Sequence, residues 1–345
     1  MRAILMDKPG GVETLEVREV ADPEPGPGQV RVRVAGCGVN HLDLFIRDGL
    51  PGSGPWPHIL GSEVSGTIDK LGANVAGVEV GKPVLVVPGK GCGRCEYCHS
   101  CRENICPSFQ VLGNQRQGGY AEFVVVDAGD CVPVPIDRVS LVDWAAVPLV
   151  FQTAWHMLFG LGKLQAGETV LIESAGSGVG TAALQIAKLA GARVIVTAGG
   201  KEKCSRLEEM GADLAIDHQT SEVRKLVKTW TGGRGVDLVF AHVGGEALTE
   251  SLACLARGGR LVTCGATAGP LVTIDLRFFF TRELSLTGAY LGTRADLDAV
   301  VRQVSLGRLQ PVVDRVYPLA EVQSAHRRIT NRDLFGKLVL SPSEG

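Results

Sequence analysis

The sequence predicts an α/β protein in two parts, a small β-rich domain followed by a doubly wound, parallel-sheet domain. Three observations carry this. Up to about residue 147 the chain is a series of short apolar or alternating runs broken by Gly and Pro. Beyond it, apolar runs of strand length alternate with amphipathic stretches of helix length. The length, 345 residues, exceeds what one ordinary core needs.

In order, "PEPGPGQ" (23–29) is a turn-rich connector, and the alternation of "QVRVRV" (29–34) is that of a half-buried strand. "VSGTIDKLG", "GKPVLVVPG" and "AEFVVVD" add strands to a mostly antiparallel sheet. "TVLIES" (169–174) then leads through "AGSGVG" into a helix. This helix places Val179, Ala183, Ile186, Ala187 and Ala190 on one face and ends at Gly191. "RVIVTA" (193–198), a helix through Met210, "DLAID", a second helix, "VDLVFAHV" (236–243), a third helix and "RLVTCG" (260–265) continue the alternation. A helix over 295–305, "VVDRVYPL", a further helix and the strand "KLVL" close the chain. Domains are expected over 1–147 and 148–289, with 290–345 returning to complete the first.

Charged residues make up 21% and the net charge is −2, with no basic or acidic run, so no electrostatic footprint for nucleic acid is present. No apolar segment approaches the roughly 20 residues of a membrane span. "MRAILMDKPG" lacks the length and cleavage site of a signal peptide. Cys37, Cys131, Cys204, Cys254 and Cys264 are scattered through apolar contexts, as small buried hydrophobes in a reducing compartment. A cytoplasmic protein is expected.

Strand, "AGSGVG" and helix make the first βα turn of a Rossmann unit, where backbone N–H groups and the helix dipole cradle a pyrophosphate. Ala175, Gly176, Ser177, Gly178, Val179 and Gly180 are the expected contacts, although Ala175 and Ser177 stand where the strict G-x-G-x-x-G has glycine. After the next strand come Ala198, Gly199, Gly200, Lys201 and Lys203, with no acid to accept the ribose hydroxyls of NAD. A glycine-lined spot beside two lysines suits a 2′-phosphate, so NADP(H) is favoured over NAD(H).

"GCGRCEYCHSCRENIC" (91–106) places Cys92, Cys95, Cys98 and Cys106 at x2, x2 and x7 spacing. Four thiolates from one loop make a closed tetrahedral zinc site with no open position for substrate, a structural staple. Cys101 is a spare at similar spacing.

Together these features resemble the medium-chain dehydrogenase/reductase superfamily. The resemblance is carried by the four-cysteine lobe, "GVNHLDLFIRDG" (38–49), "PHILGSEVSG" (57–66), "GGYAEFVVV" (118–126), "FQTAWHML" (151–158), the glycine-rich turn and "FGKLVL". It implies a GroES-like catalytic domain paired with the Rossmann domain, and a homodimer or homotetramer, with "ELSLTGAY" as an edge strand. It also implies nicotinamide-side contacts from Thr153, Ala289 and Tyr290. Val243, Gly244, Cys264, Gly265 and Ala266 lie at the carboxyl ends of strands, where ligands gather in such sheets.

Zinc alcohol dehydrogenases of this superfamily hold a second, catalytic zinc. Carried over position by position, its ligands become Asn40, Ser62 and Leu149, which is no zinc-binding set. Cys37 is three residues off register and is assigned to packing. Asn40, Ser62 and the "A-x-S-G-V-G" turn look instead like the quinone oxidoreductase branch, whose members reduce quinones or activated double bonds with NADPH and carry no catalytic zinc. Those members generally lack the cysteine lobe, so this chain mixes two branches.

Without a Lewis acid, the charge left by hydride transfer favours substrates that delocalise it. The expected function is NADP(H)-dependent hydride transfer to a small quinone or α,β-unsaturated carbonyl, with Asn40 and His41 polarising the substrate oxygen or orienting the cofactor. Asp43 and Glu63 are read as structural carboxylates bonding backbone groups; His58 and His156 are weaker candidates. Two alternatives stand beside this. One is a zinc alcohol dehydrogenase with shifted ligands drawn from His41, His58, Glu63 and Cys37. The other is an NADPH-binding structural or RNA-binding protein of low turnover.

Overall fold

The computed structural model describes residues 1–343. The chain divides into two compact units: Met1–Leu149 with the closing segment from Leu297, and Val150–Asp296. The return therefore begins inside a helix and not at residue 290. The stretch before it is tied into the second unit, since Gln152 Nε2 donates to the carbonyls of Gly292 (3.1 Å) and Thr293 (2.8 Å).

The first unit opens with β1 (Arg2–Leu5) and β2 (Glu16–Glu19), an antiparallel pair. Then follow β3 (Gln29–Gly38), α1 (His41–Arg47), β4 (Glu63–Leu71) and β5 (Pro83–Val86). The two-residue strands β6 (Gly89–Lys90) and β7 (Gln110–Val111) pair antiparallel at the base of the cysteine lobe, which holds the single-turn helix α2 (Glu96–His99). β8 (Phe123–Asp127) and β9 (Cys131–Pro133) complete this portion. Helix α1 has no counterpart in the strand pattern of the sequence. It starts at Asn40, in extended conformation, whose backbone N–H donates to the Asp43 carboxylate one turn on (2.7 Å).

The second unit starts with α3 (Val150–Trp155), which loosens into a π-type turn over His156–Leu161. Next come β10 (Thr169–Ile172), α4 (Gly178–Leu189), β11 (Arg193–Ala198), α5 (Lys201–Glu209), β12 (Leu214–Asp217) and α6 (Val223–Trp230). They are followed by β13 (Val236–Ala241), α7 (Gly245–Leu252), β14 (Leu255–Thr263), α8 (Leu276–Phe280) and β15 (Ser285–Gly288). The sheet order β12-β11-β10-β13-β14-β15, parallel at every pairing, is doubly wound, with its switch point between β10 and β13. Helix α4 buries a broader face than its sequence periodicity predicts. Thr181, Ala182 and Leu184 are buried along with Ala183, Ile186 and Ala187, while Val179 and Ala190 are only half-buried. Small side chains let this helix sink into its surroundings, so more than one stripe is covered.

α9 (Arg294–Ser305) carries the chain out of the second unit. β16 (Val313–Pro318), α10 (Val322–Thr330) and β17 (Lys337–Ser341) then complete the first unit. Its main sheet runs β16-β17-β3-β4-β5-β9, with β8 also on β3. All pairings are antiparallel except β16 with β17. β17 lies on the last residues of β3, pairing Val339 with Gly38 and Leu340 with Cys37. That register brings Lys337 to the start of α1. Each unit has its own core, one around Val32, Leu60, Ile68, Tyr120 and Leu338, the other around Leu171, Ile195, Val239 and Leu261.

Candidate active site and metal centre

In the cysteine lobe the Sγ atoms of Cys92, Cys95, Cys98 and Cys106 all lie within 4.8 Å of one another. A tetrahedral zinc with bonds of about 2.3 Å needs sulfur separations near ~3.8 Å, so this donor set fits the ion. Backbone N–H groups support the thiolates: Cys92 and Ser108 donate to Cys106 Sγ (both 3.4 Å) and Gly93 donates to Cys98 Sγ (3.3 Å). Cys101 is exposed with φ of 55° and stands outside the group. Among the described residues, no other group of three or more His, Cys, Asp or Glu side chains has such geometry. His41, His58, Glu63 and Cys37 are thus not brought together as a ligand set.

Around the start of α1, the positions matching a catalytic zinc's ligands are joined by a buried ion pair that the sequence reading missed. Lys337 Nζ donates to Glu63 Oε2 (2.5 Å), Asn40 Oδ1 (2.7 Å) and the Val39 carbonyl (2.8 Å). Its three hydrogens are thereby used. Glu63 Oε2 also accepts from Asn40 Nδ2 (3.0 Å), and Glu63 Oε1 accepts from the Leu149 N–H (2.8 Å). The other hydrogen of Asn40 Nδ2 faces the Gly38 carbonyl at 3.3 Å. The side chains of Glu63 and Lys337 are 0% and 5% exposed, so the two opposite charges face each other out of solvent. Ser62 is buried and its Oγ has no hydrogen-bond partner. The signal that could have revealed Lys337 is its place in "FGKLVL", one long cationic side chain in an otherwise apolar strand.

With its amide occupied, Asn40 is a fixed part of the turn, and His41 beside it is the side chain at the helix start still to be accounted for. Burial, reinforced by the Lys337 and Arg332 charges, pushes the His41 imidazole down to about 4, so it is neutral near pH 7. A neutral imidazole donates or accepts a hydrogen bond and is a poor proton donor, because losing its proton would leave imidazolate. Asp43 is fully buried; it accepts from Asn40 N–H (2.7 Å), Gly61 N–H (3.3 Å) and Tyr120 Oη–H (3.0 Å). Cys37 is buried in this core, and burial pushes its thiol well up, in keeping with a packing role. His58 is buried with Nε2 on the Gly113 carbonyl (3.0 Å). His156 pairs with Asp296 (2.8 Å).

In the second unit the glycine-rich turn lies at the head of α4. Ser177 caps the helix, its Oγ accepting from Gly180 N–H at 3.1 Å. A Cβ on Gly180 would come within 2.6 Å of Ala175 Cα, so the last glycine is required for close approach of helix and turn. Beyond β11, Gly200 (φ 93°) caps α5, and Lys201 and Lys203 occupy its first turn, exposed and half-buried respectively. The fold also brings in residues unseen by sequence reasoning. Asp217, ending β12, accepts from Gly200 N–H (3.0 Å), Gln219 N–H (3.0 Å) and Thr220 Oγ1 (3.2 Å). A Cβ on Gly199 would meet Gln219 Nε2 at 3.0 Å and His218 Nε2 at 3.6 Å.

At the switch point, Glu173 Oε2 accepts from the His242 (3.2 Å) and Val243 (3.3 Å) backbone N–H groups, binding the end of β10 to the end of β13. Burial pushes this carboxyl up. Gly244 (φ 77°) opens α7, and a side chain there would strike the Gly269 carbonyl. Gly265 has no room for one against the His242 carbonyl at 2.5 Å. Cys264 is half-buried, its thiol pushed up to about 12 by burial; Ala266 lies against Gly244. Thr153 is buried in α3, Ala289 is half-buried and Tyr290 is exposed just after β15. These tight glycine contacts and short capped turns fit the dinucleotide expected at this end of the sheet.

Comparison with known proteins agrees with this architecture. Residues 26–136 match the alcohol dehydrogenase GroES-like domain, and residues 178–305 match the zinc-binding dehydrogenase family. The chain is 30% identical to acryloyl-coenzyme A reductase of Metallosphaera sedula, covering 99% of this chain and 100% of that one. It is 30% identical to the quinone oxidoreductase of Rattus norvegicus, covering 99% and 97%. A crystal structure of an NAD-dependent alcohol dehydrogenase superposes with a TM-score of 0.95 at 40% identity, covering 99% of each chain.

Proposed function

The chain belongs to the medium-chain dehydrogenase/reductase superfamily, and on that premise we propose that it reduces electron-poor quinones or α,β-unsaturated carbonyls without a catalytic metal. The observation that carries this is the Glu63–Lys337 pair, which joins the segments of Asn40, Ser62 and Leu149 and leaves no ligand set there. The names of the relatives, an acryloyl-coenzyme A reductase and a quinone oxidoreductase, support the same substrate class.

A bound reduced nicotinamide supplies the hydride. His41 then offers a hydrogen bond to the oxygen on which the conjugated substrate gathers charge, and Asn40 holds the turn that presents it. Because His41 is neutral, the proton that completes the product comes from solvent. Ser177, Gly178 and Gly180, with the N–H groups of the first turn of α4, hold the pyrophosphate. NADP(H) is the favoured cofactor. The strand end at Ala198–Gly200 has no carboxylate, Asp217 nearby is already engaged with three donors, and Lys201 and Lys203 supply positive charge.

The four cysteines hold one structural zinc, which fastens the lobe. A homodimer or homotetramer is proposed, since β15 ends the sheet with Leu286 39% exposed. No helix among the described residues is long and apolar enough to cross a membrane. The ten cysteines are free of disulfides, which favours the cytoplasm.

The test is turnover with a panel of quinones, enones and enoyl thioesters, following NADPH and NADH absorbance, together with metal analysis. One zinc per chain and turnover on at least one substrate class support the reading. Two zincs per chain, or activity on simple alcohols alone, would overturn it.

A further inference from the structure

Behind the Asn40–His41 turn a buried hydrogen-bond chain runs in one direction. Arg47 Nη1 is 3.3 Å from His326 Nδ1, His326 Nε2 is 3.4 Å from Tyr120 Oη, and Tyr120 Oη is 3.0 Å from Asp43 Oδ2. Arginine cannot accept, so His326 Nδ1 must, and the ring's proton lies on Nε2. That proton points to Tyr120 Oη, which leaves the phenolic hydrogen for Asp43. Every donor therefore faces inward, from a guanidinium to a fully buried carboxyl. Arg47 itself is buried and reaches the exposed Asp48 (2.8 Å).

We propose that His326 and Tyr120 are a positioning relay which transmits Arg47's charge to Asp43 and so keeps the Asn40–His41 turn locked to Gly61. The proposal rests on the reading of that turn as the substrate site. Ionised, Asp43 accepts from Asn40 N–H, Gly61 N–H and Tyr120 at once. Protonated, Asp43 carries a hydroxyl whose own proton needs an acceptor where its neighbours are all donors, so one of these three partners must turn away.

The groups facing Asp43 are Tyr120 and the Asn40 N–H, with the Lys337 cation favouring its charged form and the Glu63 carboxylate opposing it. Cys37 also lies within its field. Burial dominates and pushes Asp43 up to about 6, where the lock is sensitive to its hydrogen-bond donors. His326 is pushed the other way, to about 3, first by burial and then by Arg47, so it stays neutral and relays without titrating.

Two measurements on the full chain test this. The first is the pH dependence of kcat/KM for NADPH-dependent reduction of the best panel substrate. The second is a 13C-carboxyl aspartate titration by NMR, with Asp43 assigned by the Asp43→Asn variant, which needs no turnover. The wild type should show an acid limb and a carboxyl titration at the same pH, near 6. Tyr120→Phe keeps the ring, removes one hydrogen bond to the charge, and should move both upward by about one pH unit. His326→Leu should do the same, whereas His326→Gln, which can accept from Arg47 and donate to Tyr120, should restore wild-type values.

A merely structural role would lower the yield of folded enzyme but leave the limb in place. Unmoved titration in both Tyr120→Phe and His326→Leu would overturn the relay. So would a His326→Gln variant that titrates like His326→Leu, since it keeps both hydrogen-bonding roles of the ring. If no substrate turns over, the NMR shift decides the relay by itself, and only the reductase reading falls.

Discussion

Replacing Lys337 by Met removes the charge that balances Glu63 and keeps most of the side-chain volume. The structure makes this change expensive for several reasons at once. Glu63 is 0% exposed, and no water can take over from an ammonium that is itself 5% exposed. The Val39 carbonyl and Asn40 Oδ1 lose a donor as well. Breaking one partner of such a pair costs about 3–5 kcal/mol. For a unit of this size that lowers the thermal midpoint by roughly 6–20 °C. The assay is calorimetric or fluorescence-monitored unfolding of the wild type, Lys337→Met, Glu63→Gln and the double variant at pH 7. Since two units can unfold separately, the transition assigned to the first unit is the one compared. The double variant should be more stable than the sum of the singles predicts, with a coupling of about 2 kcal/mol or more. Additive singles, or a Lys337→Met variant within about 0.5 kcal/mol of wild type, would refute the claim that the two charges depend on each other.

Further outcomes follow from the same geometry. Cys95→Ser should lose the zinc in metal analysis and open the lobe to proteolysis between β6 and β7, while folded enzyme keeps kcat within about two-fold, since the site is closed to substrate. Lys203→Ala should weaken NADPH binding about five- to ten-fold, the loss of one partly exposed charge contact, and leave NADH unchanged in a fluorescence titration. Gly180→Ala should cost about 1–3 kcal/mol by overpacking against Ala175 and weaken both cofactors together. Acid should destabilise the first unit between pH 6.5 and about 4.5. His41 and His326, depressed to about 4 and 3, bind fewer protons folded than unfolded there, while Asp43, raised to about 6, binds more. Near pH 5 the difference is about one proton, so stability should rise with pH by about 1.4 kcal/mol per unit, and His326→Gln should flatten that slope.

Much of the architecture was legible because it is periodic. "RVIVTA" is β11 to the residue, and strands and helices alternate in the second unit as the apolar runs predict. The cysteine lobe could be read from spacing alone, since four ligands within one loop need no tertiary information. The substrate-side site was only half visible. The resemblance set Asn40, Ser62 and Leu149 at the positions of a catalytic zinc's ligands, but the Lys337–Glu63 pair beside them depends on β17 lying against β3. No local pattern records that register. Asp217 and Gln219 escaped for the same reason: they lie at and just after the end of β12, but Gly199 and Gly200, which they meet, follow β11. The α4 stripe was misjudged because alanine-rich helices bury on several sides, so spacing underestimates their covered face.

Lys337 and Asn40 are 297 positions apart in the chain. A ribosome therefore makes the carboxylate of Glu63 long before its counter-ion, and the whole second unit emerges in between. Until β17 is threaded beside β3, the first unit carries an uncompensated charge in what will become its interior. The domain begun first is the one finished last, and a nascent chain halted before Lys337 should expose that half to proteases while the parallel-sheet unit is already resistant.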